Sequence, residues 1–133
     1  MDNSFVYAKM NETSREVQKY YKKNIHKGGG PVCVWDKKTN LTSTGWKPQL
    51  TDRYIWTPRQ DELQKMVMGE FAEYPNQLSG MLLEFHFFVG NLVYEEVFTS
   101  MKQLWLRFVM RKLYKKVWEE YQWVRVKGKY DII

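Results

Sequence analysis

Ser100-Met101-Lys102-Gln103-Leu104-Trp105-Leu106-Arg107-Phe108-Val109-Met110-Arg111-Lys112-Leu113-Tyr114-Lys115-Lys116-Val117-Trp118 is the stretch that decides the fold. Met101, Leu104, Trp105, Phe108, Val109 and Leu113 recur at i, i+3, i+4, i+7, i+8 and i+12. That spacing places them on one face of a helix. Ser100 and Gln103 form an S-x-x-Q capping box at its start. Leu106, Met110, Tyr114 and Val117 widen the apolar face. Arg107, Arg111 and Lys115 line up at i, i+4 and i+8, with Lys112 and Lys116 beside them. The expected element is a helix over 100–117 with one face in the core and one basic face. Its cations crowd the C-terminal end, where they also complement the helix dipole.

Upstream segments supply surfaces for that helix. Thr57-Pro58-Arg59-Gln60 reads as an N-cap, a first-turn proline and a capping box. Leu63, Met66 and Val67 follow as a stripe, so a helix is expected over 58–69 with Gly69 at its C-cap. Tyr74-Pro75-Asn76 breaks the chain. Leu78, Met81, Leu82, Phe85 and Val89 then recur at helical spacing, and a second helix is expected over 77–90. Phe85–Val89 is also compatible with a strand. Thr13-Ser14-Arg15-Glu16 is a further capping box, followed by Val17, Tyr20 and Tyr21, which predicts a short helix from Ser14 to Asn24. Residues 1–10 give no firm signal. Gly28-Gly29-Gly30-Pro31 reads as a hinge. Residues 1–27 are therefore expected as an N-terminal arm or loosely docked helix, and 31–133 as a single globular domain. Short β-prone runs at 31–36, 53–56 and 123–126 predict one or two small β pairs. The fold class is α+β: a predominantly helical, three-helix core, a small antiparallel β element and an N-terminal helical arm.

Composition sets the outer bounds. A chain of 133 residues fits one domain and can bury a core without disulfide or metal. Its single cysteine, Cys33, excludes an intramolecular disulfide and suits a reducing compartment. Cys33 sits in an apolar run and reads as a buried strand residue. No secretory signal opens the chain, and the apolar run 78–98 carries too many polar groups for a membrane span. The net charge of +6 divides unevenly: +5 over 1–65 (12 Lys/Arg, 7 Asp/Glu), −5 over 66–101 (none, 5) and +6 over 102–133 (9, 3). The acidic middle is the obvious internal partner for the basic helix face.

Chemistry-bearing residues are sparse. The histidines are His26 and His86, with no H-x-x-x-H or C-x-x-C spacing for a metal. On a helix, Glu84 and His86 point about 200° apart and share no site; on a strand they would share a face. Asp61 and Glu62 fall in a first helical turn, where carboxylates complement the dipole. The triple glycine lacks the G-K-[ST] of a phosphate loop. No catalytic residue, cofactor or metal is expected.

Trp56-Thr57-Pro58-Arg59-Gln60-Asp61-Glu62-Leu63-Gln64-Lys65-Met66 resembles a W-x-P-x-Q-x-x-L-Q-x-M pattern, and Ser100–Trp118 resembles a second one. Both belong to small uncharacterised proteins encoded by phages and prophages of Gram-positive bacteria. The resemblance spans about a quarter of the chain. It implies the infected host's cytoplasm and an accessory role, and it carries over no functional residue. The expectation is thus a protein that binds a host or phage protein. Trp46, Trp56, Trp118 and Trp123 are candidate anchors for such a partner. The alternative is non-specific nucleic-acid binding through Lys22 and Lys23 of the N-terminal segment and Arg107, Arg111, Lys112, Lys115 and Lys116. No membrane contact is expected, and the sequence assigns no oligomeric state.

Overall fold

The structure, a computed structural model, describes residues 3–25, 32–44, 53–92, 100–119 and 121–126. The fold is α+β, with helices and two small antiparallel sheets. Backbone proximity groups the chain into two units, Met1–Arg59 with Glu119–Trp123, and Gln60–Trp118 with Val124–Ile133. The hinge at Gly28–Pro31, with His26 and Trp46, lies outside the described residues.

The first unit opens with helix α1 (Asn3–Glu12). Its sequence lacks an acidic first turn, and its apolar residues run nearly unbroken from Phe5 to Ala8, so no helical period stands out. What holds it is burial: Tyr7, Ala8 and Met10 are enclosed, and the Tyr7 hydroxyl donates to the Pro58 carbonyl at 2.6 Å. Helix α2 (Arg15–Tyr20) starts at the Ser14 cap, whose Oγ accepts from Val17 N–H, and continues as a π-helical turn over Tyr21–Ile25. Val17 and Tyr21 are fully buried, so the segment expected as an arm or a loosely docked helix is packed through residue 21.

Strands β1 (Cys33–Asp36), β2 (Leu41–Thr44) and β3 (Tyr54–Trp56) form an antiparallel sheet in the order β2-β1-β3. Val34 faces Ser43 on one side and Trp56 on the other. Strand β3 is an edge, and an edge exposes unpaired backbone groups. Gln18 meets them: its Nε2 donates to the Trp56 carbonyl at 2.9 Å and its Oε1 accepts from Trp56 N–H at 3.0 Å. Tyr20 stacks on the Trp56 ring, and Tyr21 packs against it at a tilt. Helix α2 thus caps the sheet edge through one amide and two rings. The Trp123 indole donates to the Met10 carbonyl at 2.9 Å. Cys33 is half-buried rather than enclosed, with Sγ 3.4 Å from Thr44 Oγ1.

The second unit holds the three expected helices, α3 (Gln60–Met68), α4 (Gln77–Gly90) and α5 (Met101–Tyr114). Three boundaries differ from expectation. Helix α3 starts at Gln60, two residues late, and Thr57 Oγ1 is buried with no hydrogen bond among the described residues, so it caps nothing. Gly69 does not stop the chain, which tightens into a 3-10 turn through Phe71. Helix α5 ends at Tyr114 because Lys115 turns left-handed (φ 57°) and donates its N–H back to Arg111 and Met110. The chain then forms strand β4 (Lys116–Glu119), paired with β5 (Gln122–Arg125). The caps at Asn76 and Ser100 are formed, each side chain accepting from the N–H three residues on.

Phe108 is the hub of this unit. Phe85 and Trp105 lie face to face at 3.9 Å, and both meet Phe108 edge-on. Phe71 and Phe88 pack on Phe108 from the 3-10 turn and α4. Burying each such ring contributes about 1.5–3 kcal/mol. The inward seam of α4 is Met81, Phe85 and Phe88, spaced i, i+4 and i+7; Leu78 and Leu82, expected on it, face outward. Met101, expected in the core, shares the phase of Trp105 and Phe108 but is exposed as the first residue of α5.

Candidate functional site

The basic face expected on α5 is not an open surface. Arg107 and Arg111 are buried, each over nine-tenths enclosed. Lys112 is partly buried and pairs with Glu84 at 2.8 Å, its ammonium lying 5.1 Å from the Phe71 ring centre. The acidic middle segment therefore supplies an internal counter-ion. Lys115 is exposed at the helix end, and Lys116 is half-buried in β4. Lys22 and Lys23 are exposed in the π turn of the first unit. The seven cations that the sequence grouped thus differ in burial, and Lys22 and Lys23 belong to the first unit while the other five belong to the second.

Glu84 holds a second bond. The Tyr74 hydroxyl donates to Glu84 Oε2 at 2.9 Å, and the carboxylate beside it pushes the Tyr74 pKa up. Glu84 is therefore committed to Tyr74 and Lys112, while His86 is exposed on the same helix. Among the described residues no three His, Cys, Asp or Glu come together as a metal-binding group. Nor is any described helix long and apolar enough to cross a membrane.

What the structure does present is the outer face of α4. Leu78, Leu82, Leu83 and Phe87 are 52%, 45%, 49% and 52% exposed. At 100° per residue they spread over about 180° of the helix, enclosing Ser79, His86 and Gly90. Glu84, the sole formally charged residue of the helix, points away toward Lys112 and Tyr74. The four form two exposed apolar pairs, Leu78 with Leu82 and Leu83 with Phe87, on either side of a strip made by Ser79, His86 and Gly90. Exposed apolar clusters rimmed by polar residues mark interaction surfaces. The sequence carried a signal for it: Leu78, Leu82, Leu83 and Phe87 add more apolar surface to α4 than the one buried seam of Met81, Phe85 and Phe88 requires. Of the tryptophans expected as anchors, Trp56 is fully buried, and Trp118 and Trp123 are half-buried.

A second feature lies in the first unit. Phe5, Ala8, Lys9, Glu12, Trp35, Lys37, Asn40 and Ile55 enclose an open cavity of about 260 Å³. Its floor is apolar, and its rim sets two lysines around one carboxylate. Glu12 accepts from Lys37 at 2.7 Å and from Lys9 at 3.5 Å, and these contacts hold its pKa below the usual glutamate range. Next to it, Arg53 grips Asp36 with two bonds of 2.9 Å, which lowers the Asp36 pKa to about 2.

Comparison with known proteins finds no matching family model, no matching curated protein and no matching solved structure.

Proposed function

We propose that this is a non-enzymatic accessory protein that acts by binding another protein through the outer face of α4. The observation that carries the reading is the pair of half-exposed apolar patches, Leu78 with Leu82 and Leu83 with Phe87, on one side of a helix in a chain with a net charge of +6. Desolvating such a face favours association, and no charge on it has to be matched. The resemblance of Trp56–Met66 and Ser100–Trp118 to small phage and prophage proteins supports a host-cytoplasm setting and a host or phage protein as partner.

The alternative is non-specific nucleic-acid binding. It draws support from the exposure of Lys22, Lys23 and Lys115, and loses support from the burial of Arg107 and Arg111.

The test compares wild type with Leu82→Asp/Phe87→Asp and with Lys22→Glu/Lys23→Glu/Lys115→Glu. Each is used as bait under quantitative mass spectrometry and as ligand in a low-salt mobility shift. The proposal expects a protein set lost only in the α4 variant, whose circular dichroism matches wild type. Retention of that set by the α4 variant, or a salt-sensitive nucleic-acid shift lost in the lysine variant, sinks it.

A further inference from the structure

We infer that the cavity in the first unit is a binding site for an aromatic carboxylate, a site separate from the α4 face and independent of it. Its size selects a single ring. About 260 Å³ equals roughly nine water volumes, below the range of sites that hold drug-sized ligands. A nucleotide is too large for it.

The floor selects an aromatic ring. Ala8, Trp35 and Ile55 are buried and give an apolar base. Phe5 stands 54% exposed with its ring edge-on to Trp35 at 6.2 Å. The two planes stand at 72°, the edge-to-face arrangement favoured by aromatic pairs, and the exposed Phe5 ring is the one within reach of a guest ring.

The rim selects an anion. Lys9 and Lys37 carry two positive charges against the one carboxylate of Glu12. Glu12 binds Lys37 closely and reaches Lys9 only at 3.5 Å, with the Lys9 side chain 49% exposed. A guest carboxylate above the ring would take Lys9 at a shorter distance, at the cost of a contact already at its limit. Asn40, in a left-handed turn (φ 56°), adds an amide group to the same rim. Glu12 then acts as a resident competitor for the anion, which gives the site a signature: removing Glu12 tightens binding and removing Lys9 weakens it. A merely structural ion pair moves neither.

The full 133-residue chain, ¹⁵N-labelled, is titrated by NMR with 3-phenylpropionate, its neutral amide, and an alanine-alanine-phenylalanine peptide with a free or amidated C-terminus. The expected result is saturable shifts at Ala8, Lys37, Asn40 and Ile55 with 3-phenylpropionate, with the free-carboxylate peptide, or with both; which of the two binds assigns a free acid or a chain terminus as source. The amides bind about fivefold more weakly, Lys9→Gln weakens the acid about three- to fivefold, and Glu12→Gln strengthens it by a similar factor. Both substituted side chains reach solvent, Lys9 at 49% and Glu12 at 30% exposure, and the unperturbed remainder of each spectrum reports that the variants fold. Equal binding of acid and amide, weaker binding in Glu12→Gln, or no saturable shift with either carboxylate overturns the inference.

Discussion

Gly80→Ala puts the packing of α4 to a sharp test. Alanine is the better helix former and in an open position stabilises by up to about 1 kcal/mol. Gly80 is not open. A Cβ placed there falls within 3.0 Å of three ring carbons of Tyr74. The ring cannot easily retreat: it packs against Phe71 at 6.1 Å, and its hydroxyl is bonded to Glu84, which also holds Lys112. Overpacking of this kind costs about 1–3 kcal/mol, and releasing a hydrogen bond to a charged group costs about 1.5–3 kcal/mol. The expected net effect is a loss of about 1–3 kcal/mol after the propensity gain is subtracted. The control is a double-mutant cycle with Tyr74→Ala. In that background the clash is gone, and Gly80→Ala should change sign and stabilise by up to about 1 kcal/mol. Urea unfolding at constant m-value measures all four proteins. If Gly80→Ala stabilises the wild-type chain, Tyr74 does not sit where this account puts it, and the phase of α4, hence its outward face, is wrong.

Other perturbations address the first unit and the ion pairs. Gln18→Ala strands the N–H and C=O of Trp56 at the sheet edge and should cost about 2 kcal/mol or more in urea unfolding; a loss under about 0.5 kcal/mol contradicts the edge-capping role. Lys112→Met leaves Glu84 partly buried without its cation and should cost about 1–3 kcal/mol, most of it recovered in Lys112→Met/Glu84→Leu/Tyr74→Phe, where the Tyr74 hydroxyl that Glu84 also accepts from is removed too. Asp36 has a folded pKa near 2 against an ordinary 3.8, through its paired bonds to Arg53. Its contribution to stability is therefore complete above pH 3.8 and lost as pH falls toward 2. A stability gap between wild type and Asp36→Asn at pH 7 should close across that window, and a gap that persists below it contradicts the pairing.

The helices of the second unit were readable because their ends are chemical. Asn76 and Ser100 accept hydrogen bonds from the N–H three residues on, and the seam of α5 repeats cleanly. Where tertiary contacts decide, the sequence misled. Thr57 has the composition of a cap, yet Tyr7 claims the neighbouring Pro58 carbonyl and the helix waits until Gln60. Helix α1 shows no helical period in its sequence, and it is held by burial of Tyr7, Ala8 and Met10. Arg107 and Arg111 looked like a solvent face because charge pattern alone does not show which cations are enclosed. The outward apolar residues of α4 are hard to read from the sequence, because a helix with apolar residues on two sides offers Leu78 and Leu82 as plausible seam positions beside Met81 and Phe85. The cavity beneath Phe5 joins residues from α1, β1, β3 and a turn, and no local spacing reveals it.

The most direct measurement places a photo-crosslinking amino acid at Leu82, Leu83 or Phe87 of α4, and separately at Lys115, in cells that express the chain. The account predicts one defined protein adduct from the α4 positions, abolished when the other two α4 residues are changed to aspartate, and none from Lys115. An adduct formed from Lys115 and absent from all three α4 positions would contradict it.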